Sequence, residues 1–281
     1  VPGGPLSDID RDVAETALAL IQNKGREWYT SAAFEQVFGA VHMARIDRLI
    51  PGFPAVNLVA ALELRASAVT IVQKVAWLHE RKRSDALDDG RWMYFAASDI
   101  VAFHVLLRSL FDSIAVAITR IAPKRGVTAP SFAHLRADLA PGSKKEPRTR
   151  THLGDELSAA VLSCYWFEDL RDVRDDIVHR GAQALAYPHE DQILFQVHMN
   201  FAKRVLVPAV MFNDNVVDWT RYSALVMARV MVFLNLFAEA VFALTPTLEA
   251  GRSDGTHSVH PGYAVLRDGI SQLLGASASV Q

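Results

Sequence analysis

Apolar residues recur at helical spacing along almost the whole chain. Ser7 and Asp8 open a first helix that runs to about Lys24. A second covers roughly Ser31 to Leu49 and stops before Pro51 and Pro54, because a residue preceding proline is pushed out of the helical region. Asn57 is placed to cap a third, long helix that ends in Arg81, Lys82 and Arg83, cations suited to the negative end of the helix dipole. The segment DALDDG, residues 85–90, interrupts the pattern. It sets a boundary between an N-terminal helical layer, 1–90, and the remainder of the chain.

Arg91 to about Ile121 reads as one helix, ended by Pro123 and Gly126, and a short helix comes next near Ser131 to Leu139. Residues 141–152, PGSKKEPRTRTH, read as a basic loop. Another long helix starts near Gly154 and reaches about His179, with Gly181 as its C-terminal signal. The run 191–199, DQILFQVHM, alternates apolar and polar residues and predicts a strand or one arm of a small β-hairpin, within an insert over 182–215. A helix over 216–246 closes the fold, and the Gly-, Ser- and Ala-rich residues 251–281 predict a loosely held tail. The fold class expected is all-α: a helical bundle with a core over 91–250.

Composition narrows the functional classes. With 51% hydrophobic and 21% charged residues the chain is neither disordered nor fibrous. Lys plus Arg is 29 and Asp plus Glu is 31, a net charge of −2, so any nucleic acid must be met by a local basic patch. The single cysteine, Cys164, excludes an intramolecular disulfide and Cys-rich zinc sites and fits a reducing compartment. The most apolar stretch, Ser223 to Leu244, carries Arg229, Asn235 and Glu239, each costly in hydrocarbon, so it reads as buried in protein and no membrane partner is expected. The opening VPGGP has neither the basic nor the apolar region of a secretory leader, and the expected location is cytoplasmic.

Two helices carry polar residues worth singling out. On 91–121, His104, Arg108 and Asp112 stand at i, i+4 and i+8. They form a solvated face with an ordinary Arg–Asp pair, or a polar seam facing a cleft. In 164–182, CYWFEDLRDVRDDIVHRGA, Trp166, Leu170, Val173 and Ile177 make an apolar stripe that must pack on something. Beside it lie Arg171, Arg174, Asp175, Asp176, His179 and Arg180; Asp175–His179 and Arg171–Asp175 are i, i+4 neighbours.

Arg174-Asp-Asp-Ile-Val-His179 resembles the Arg-x4-His signature of the HEPN superfamily (higher eukaryotes and prokaryotes nucleotide-binding domain), with Asp175 as the polar residue after the Arg. The surrounding Leu170-Arg-Asp-Val and Arg180-Gly181 fit the family's context, and residues 94–115 resemble its long partner helix. The resemblance covers roughly 91–181 and leaves the first ninety residues uncovered; the 182–215 insert departs from the pattern. It implies a helical bundle pairing as a homodimer, with the two motif helices facing each other. It also implies a metal-independent endoribonuclease or, in the non-catalytic members, a binding module for nucleotide, RNA or protein. By analogy alone it suggests a defence or toxin–antitoxin role with a neutralising protein partner.

The chemistry suits these residue types. RNA supplies its own nucleophile, the 2′-OH, so proximity is already in the substrate. Histidine suits the proton transfers, and His179 takes that role. A guanidinium matches phosphate oxygens, which assigns charge stabilisation to Arg174, with Arg171 and Arg180 as helpers. Asp175 orients the imidazole or Arg174. Lys144, Lys145, Arg148 and Arg150 are either a substrate-guiding patch or a solvated loop. No metal ligands and no cofactor are expected. Gly251-Arg-Ser-Asp-Gly255 spells G-x-S-x-G but lacks the strand–turn–helix setting of a hydrolase, and Asp254, His257 and His260 read as a solvated tail.

Overall fold

The computed structural model describes residues 5–24, 27–30, 33–44, 52–124, 126, 129–179, 184–196, 207–213, 216–250, 252 and 258–275. The side chains of residues 24, 38, 41–44, 89, 178, 179 and 258 lie outside that description. The fold is an all-α helical bundle with two small sheets.

Ser7 caps α1 (Asp8–Leu20) by accepting from the Asp10 amide at 3.1 Å. The chain then turns into strands β1 (Ile21–Lys24) and β2 (Glu27–Thr30), where the first helix was expected to continue to Lys24. Helix α2 (Ala33–Ala44) comes next; the end expected for it near Leu49 lies outside the described residues. Helix α3 (Ala55–Arg83) starts two residues before Asn57, after Pro54, and ends in the cationic turn expected of it. Asp88 caps α4 (Asp89–Ile121) through the Arg91 amide at 2.8 Å. Residues 84–88 thus form the turn of a long helical hairpin. Lys74 on α3 and Asp99 on α4 pair across it at 2.8 Å, and one continuous buried core extends on both sides of the turn.

Ser131 caps α5 (Phe132–Leu139). Part of the expected basic loop is helical: α6 runs Glu146–Leu162, opened by Pro147 near its first position and kinked at Gly154, whose φ of +79° glycine tolerates best. The long helix expected from Gly154 to His179 is broken at residues 163–166, and α7 spans Phe167–His179. The alternating segment forms a hairpin, β3 (Leu185–His189) with β4 (Gln192–Gln196). Residues 197–199 of the expected strand lie outside the described residues. β5 (Met211–Asn213) and β6 (Val216–Asp218) complete the sheet in the order β3-β4-β6-β5. The closing helix therefore starts three residues late: Val216 and Val217 pair as strand, and Asp218 caps α8 (Trp219–Leu244) through the Arg221 amide.

Helix α8 is the axis of the bundle, most of its side chains buried against α1, α2, α6 and the C-terminal helix. Its polar residues are each partnered: Arg229 by Asp10, Asn235 by the Ala33 amide at 2.8 Å, Glu239 by Arg252 at 2.7 Å. By length and composition α3, α4 and α8 are each apolar enough to cross a membrane; within the protein 78% of that stretch of α8 is buried, against 39% for α3.

The expected loose tail is instead structured over 258–275. After the four-residue α9 (Pro246–Glu249), β7 (Ser258–Val259) adds to β2, and α10 (Gly262–Leu273) docks Tyr263, Leu266 and Ile270 into the core. Gly262 and Gly269 permit the approach: a Cβ would lie 2.7 Å from Val69 Cγ1 at the first and 2.8 Å from Ala224 Cβ at the second. Overpacking of this kind costs about 1–3 kcal/mol. Gly262→Ala and Gly269→Ala should each lower the unfolding free energy in urea by that much, whereas Gly90→Ala, with only an ordinary 3.5 Å contact ahead of it, should not. A tail that contributed nothing would leave all three variants equally stable.

Candidate functional site

The candidate site is built on α7. Cys164, Tyr165 and Trp166 make the joint with α6, closed by a Phe167 amide to Cys164 carbonyl bond of 3.1 Å. Burial pushes the Cys164 thiol well up, so it stays protonated. Glu168 and Asp169 occupy the first turn, where carboxylates suit the helix dipole. The expected apolar stripe is buried at all four positions, Trp166, Leu170, Val173 and Ile177. It presses on α4, with Phe111 at 5.6 Å from Trp166 and 5.1 Å from Phe167 between ring centres.

The outer face carries the ionic residues. Arg174, a quarter exposed, donates from Nη1 to Asp175 Oδ1 at 2.8 Å. Asp175 therefore holds Arg174, one of the two roles expected of it. Arg171 pairs with Glu168 and with Asp172 at 3.0 Å, rather than chiefly with Asp175. Burial alone would lower its pKa, and the carboxylates of Asp172, Glu168 and Asp175 more than reverse that. The backbone of His179 closes α7, so Arg174 and His179 stand on one unbroken helix; the His179 side chain and the whole of Arg180 lie outside the described residues.

The stripe on α4 has other work. His104 is fully buried, its Nδ1 donating to the Ile100 carbonyl at 2.7 Å. A carbonyl only accepts, so Nδ1 carries the proton and Nε2 accepts from the Tyr222 hydroxyl at 2.8 Å. Burial, opposed by the Ile100 carbonyl, brings its pKa down to about 4. Arg108 meets Asp112 at 2.7 Å and lies over the Phe167 ring at 5.3 Å, while Asp112 accepts the Phe132 amide at 3.2 Å. The expected Arg108–Asp112 pair is present, but the three residues tie α4 to α5, α7 and α8, and His104 is buried rather than on a solvated face or a cleft seam.

The basic segment is not a patch on this face. Lys145 pairs with Asp138 at 3.1 Å and Arg150 with Glu146 at 3.4 Å, with Lys144 and Arg148 exposed. All four sit at the end of α6 remote from its joint with α7, and α6 packs on α5 and α8.

One network was not legible in advance. Asp10 on α1 accepts from Arg229 Nε at 2.9 Å, Arg229 Nη2 at 2.7 Å, and the Tyr165 hydroxyl at 2.6 Å, all at Oδ1; Ser7 donates to its other oxygen at 2.8 Å. Arg229 lies over the rings of Tyr165 and Trp166 at 5.5 and 5.8 Å. Burial pushes the Asp10 carboxyl up, but Arg229 and the hydrogen bonds from Tyr165, Arg229 and Ser7 together hold it below the usual range. Tyr165 is pushed up to about 12, by burial and by its bond to Asp10. The only signal in the sequence was Arg229 itself, a cation set in an apolar helix.

Among the described residues no three His, Cys, Asp or Glu side chains gather as a metal site. His260 accepts from the Gly262 amide at 2.9 Å and donates to Thr70 at 2.9 Å, fastening β7 and α10 to α3; Asp254 and His257 lie outside the described residues. Of the G-x-S-x-G run only Arg252 is described, and it bridges Glu239 and Gln36.

His104 yields a sign for pH dependence. Its folded value, about 4, lies below the ordinary 6.5, so its contribution is complete above 6.5 and is lost as pH falls toward 4. The loss over that window is about 3 kcal/mol. Urea unfolding of His104→Gln at pH 7 and pH 4 should show a difference smaller than wild type by that amount; equal differences would mean that His104 protonates in the folded protein. No family model, curated protein or solved structure matches the chain.

Proposed function

We propose that the protein is a metal-independent endoribonuclease of the HEPN type, acting as a cytoplasmic homodimer that brings two copies of α7 to one phosphodiester. The observation that carries the reading is Arg174 and His179 at i and i+5 on one continuous helix. The apolar stripe of that helix is buried, and Arg174 is held at its outer surface by Asp175.

His179 takes the 2′-OH proton or returns one to the leaving 5′-oxygen, and a two-fold dimer supplies a second imidazole for the other transfer. Arg174, oriented by Asp175, meets the developing charge on the phosphorane oxygens. Arg171 and Arg180 neighbour the phosphate, and Lys144, Lys145, Arg148 and Arg150 draw the RNA in from further off. The family's regulatory pattern adds a neutralising protein partner.

A second reading keeps the dimer and drops the chemistry, leaving a module that binds a nucleotide, RNA or a protein. It is favoured by one observation: Arg171 and Arg174 are both already engaged by carboxylates of their own helix.

RNA cleavage in excess chelator separates the two. Wild type should cut, Arg174→Ala should cut about 10²–10³-fold more slowly, and His179→Ala about 10²–10⁴-fold more slowly. A 2′-deoxy residue at the scissile position should block the reaction, and sedimentation should show a dimer. Cleavage that needs a metal, or that both variants retain, rules the nuclease out.

A further inference from the structure

The segment from β7 into α10 crosses the bundle as a strap over β2, α3 and α8. Ser258 and Val259 pair with Thr30 and Tyr29, and the His260 amide donates to the Trp28 carbonyl at 3.0 Å. Tyr263 is buried with its ring over the Arg65 guanidinium at 5.9 Å, and Arg65 pairs with Glu35 of α2. That ion pair is incompletely satisfied. Both Glu35 oxygens and Arg65 Nε and Nη2 are buried without a well-formed hydrogen bond among the described residues. Keeping charges from water on such terms is costly, so their hydration offsets part of the cost of lifting the strap.

The fastening is the imidazole of His260. Its Nδ1 accepts from the Gly262 amide at 2.9 Å. An amide N–H only donates, so Nδ1 is the bare nitrogen and Nε2 carries the proton, which it donates to the Thr70 hydroxyl at 2.9 Å. Thr70 in turn donates to the Ala66 carbonyl at 3.0 Å. The chain of donors thus runs one way, from the strap into α3. A second proton on the ring has to sit on Nδ1, where it meets the Gly262 N–H donor to donor. The Gly262 backbone cannot shift inward to relieve this, because a Cβ there would already lie 2.7 Å from Val69 Cγ1 and 2.9 Å from the Val69 carbonyl. The relief lies outward, away from α3.

We propose that His260 is an acid-released latch: protonation of its imidazole breaks the Gly262 contact and lifts β7 and the first turn of α10, uncovering the edge of β2 that β7 covers and the Glu35–Arg65 pair. Of the charged groups on the surrounding elements, Arg65 of α3 acts on the ring. Glu35 of α2 is paired with Arg65, and Arg267 of α10 lies over the Trp28 ring of β2 at 5.4 Å. Burial first, and Arg65 second, hold the imidazole below its ordinary 6.5, so the latch is complete above 6.5 and is lost as pH falls below it. Glu35 titrates with the opposite sign: burial pushes its carboxyl up against the pull of Arg65, so a proton there favours the covered pair. The latch uses no residue of α7 and is independent of the ribonuclease reading.

Hydrogen exchange of the full chain at pH 7.5 and 5.5 tests the latch, with each amide expressed as protection over its free-peptide rate so that the pH dependence of exchange itself drops out. With the strap open, an imidazole at 6.5 is about nine-tenths protonated at pH 5.5, so protection over residues 259–266 should fall severalfold, up to about tenfold. His260→Asn keeps an acceptor for the Gly262 amide at either pH and should abolish that fall. His104→Gln, which removes the other buried imidazole, should retain it. If His260→Asn leaves the strap unprotected at both pH values, an NMR titration of wild type decides: the His260 ring should titrate below 6.5, and the Gly262 amide should lose protection along the same curve. Wild-type protection equal at the two pH values, a fall that persists in His260→Asn, or a ring that titrates while Gly262 stays protected overturns the latch.

Discussion

The bundle turns on one buried ion pair. Asp10 and Arg229 are separated by 219 residues and meet where α1, α8 and the start of α7 come together. An ion pair with this little access to water stabilises only if its hydrogen-bonding capacity is used, because losing hydration costs several kcal/mol per ion. Here Tyr165 and Ser7 complete the Asp10 carboxylate, and two aromatic rings cover the guanidinium. The same contacts position Tyr165 and Trp166, and so set where α7 begins and which face it turns inward. A second buried pair, Glu35 with Arg65, joins α2 to α3 with the Tyr263 ring of α10 over the guanidinium at 5.9 Å, without the set of hydrogen bonds that completes Asp10. Burial would pull Arg65 down, and the Glu35 carboxylate beside it reverses this.

Most of the helices were legible because their causes are local. Ser7, Asp88 and Ser131 cap their helices through bonds that span three residues. What was not legible depends on distant partners. β2 is a strand because β1 and β7 lie on either side of it, and β7 comes from the far end of the chain. Val216 and Val217 leave the helical pattern because β5 and β4 are there to pair with them. Helix α10 does carry an amphipathic spacing in Tyr263, Leu266, Ile270 and Leu273, but Gly262 and Gly269 obscured it, since each glycine costs a helix about 1 kcal/mol relative to alanine. At both positions the absence of a side chain is what lets α10 lie close to α3 and α8.

The site divides in the same way. The apolar stripe of α7 and the spacing of Arg174 and His179 are one-helix properties and could be read directly. The fate of His104 could not, because its partner Tyr222 is 118 residues away, and a histidine at helical spacing from Arg108 and Asp112 looks solvated until α8 covers it. Pro, Gly and Ser around the cations near residue 150 predict a loop. Pro147 instead starts a helix, and Glu146 and Asp138 then come within reach of Arg150 and Lys145.

Cys164 lies at the joint that all these contacts hold shut, with no exposed surface and a thiol that burial keeps protonated. Reaction with an alkylating reagent requires the thiolate to reach water, and here that requires the joint between α6 and α7 to part. A single sulfur thus reports every opening of that joint, whether it parts alone or together with the whole bundle.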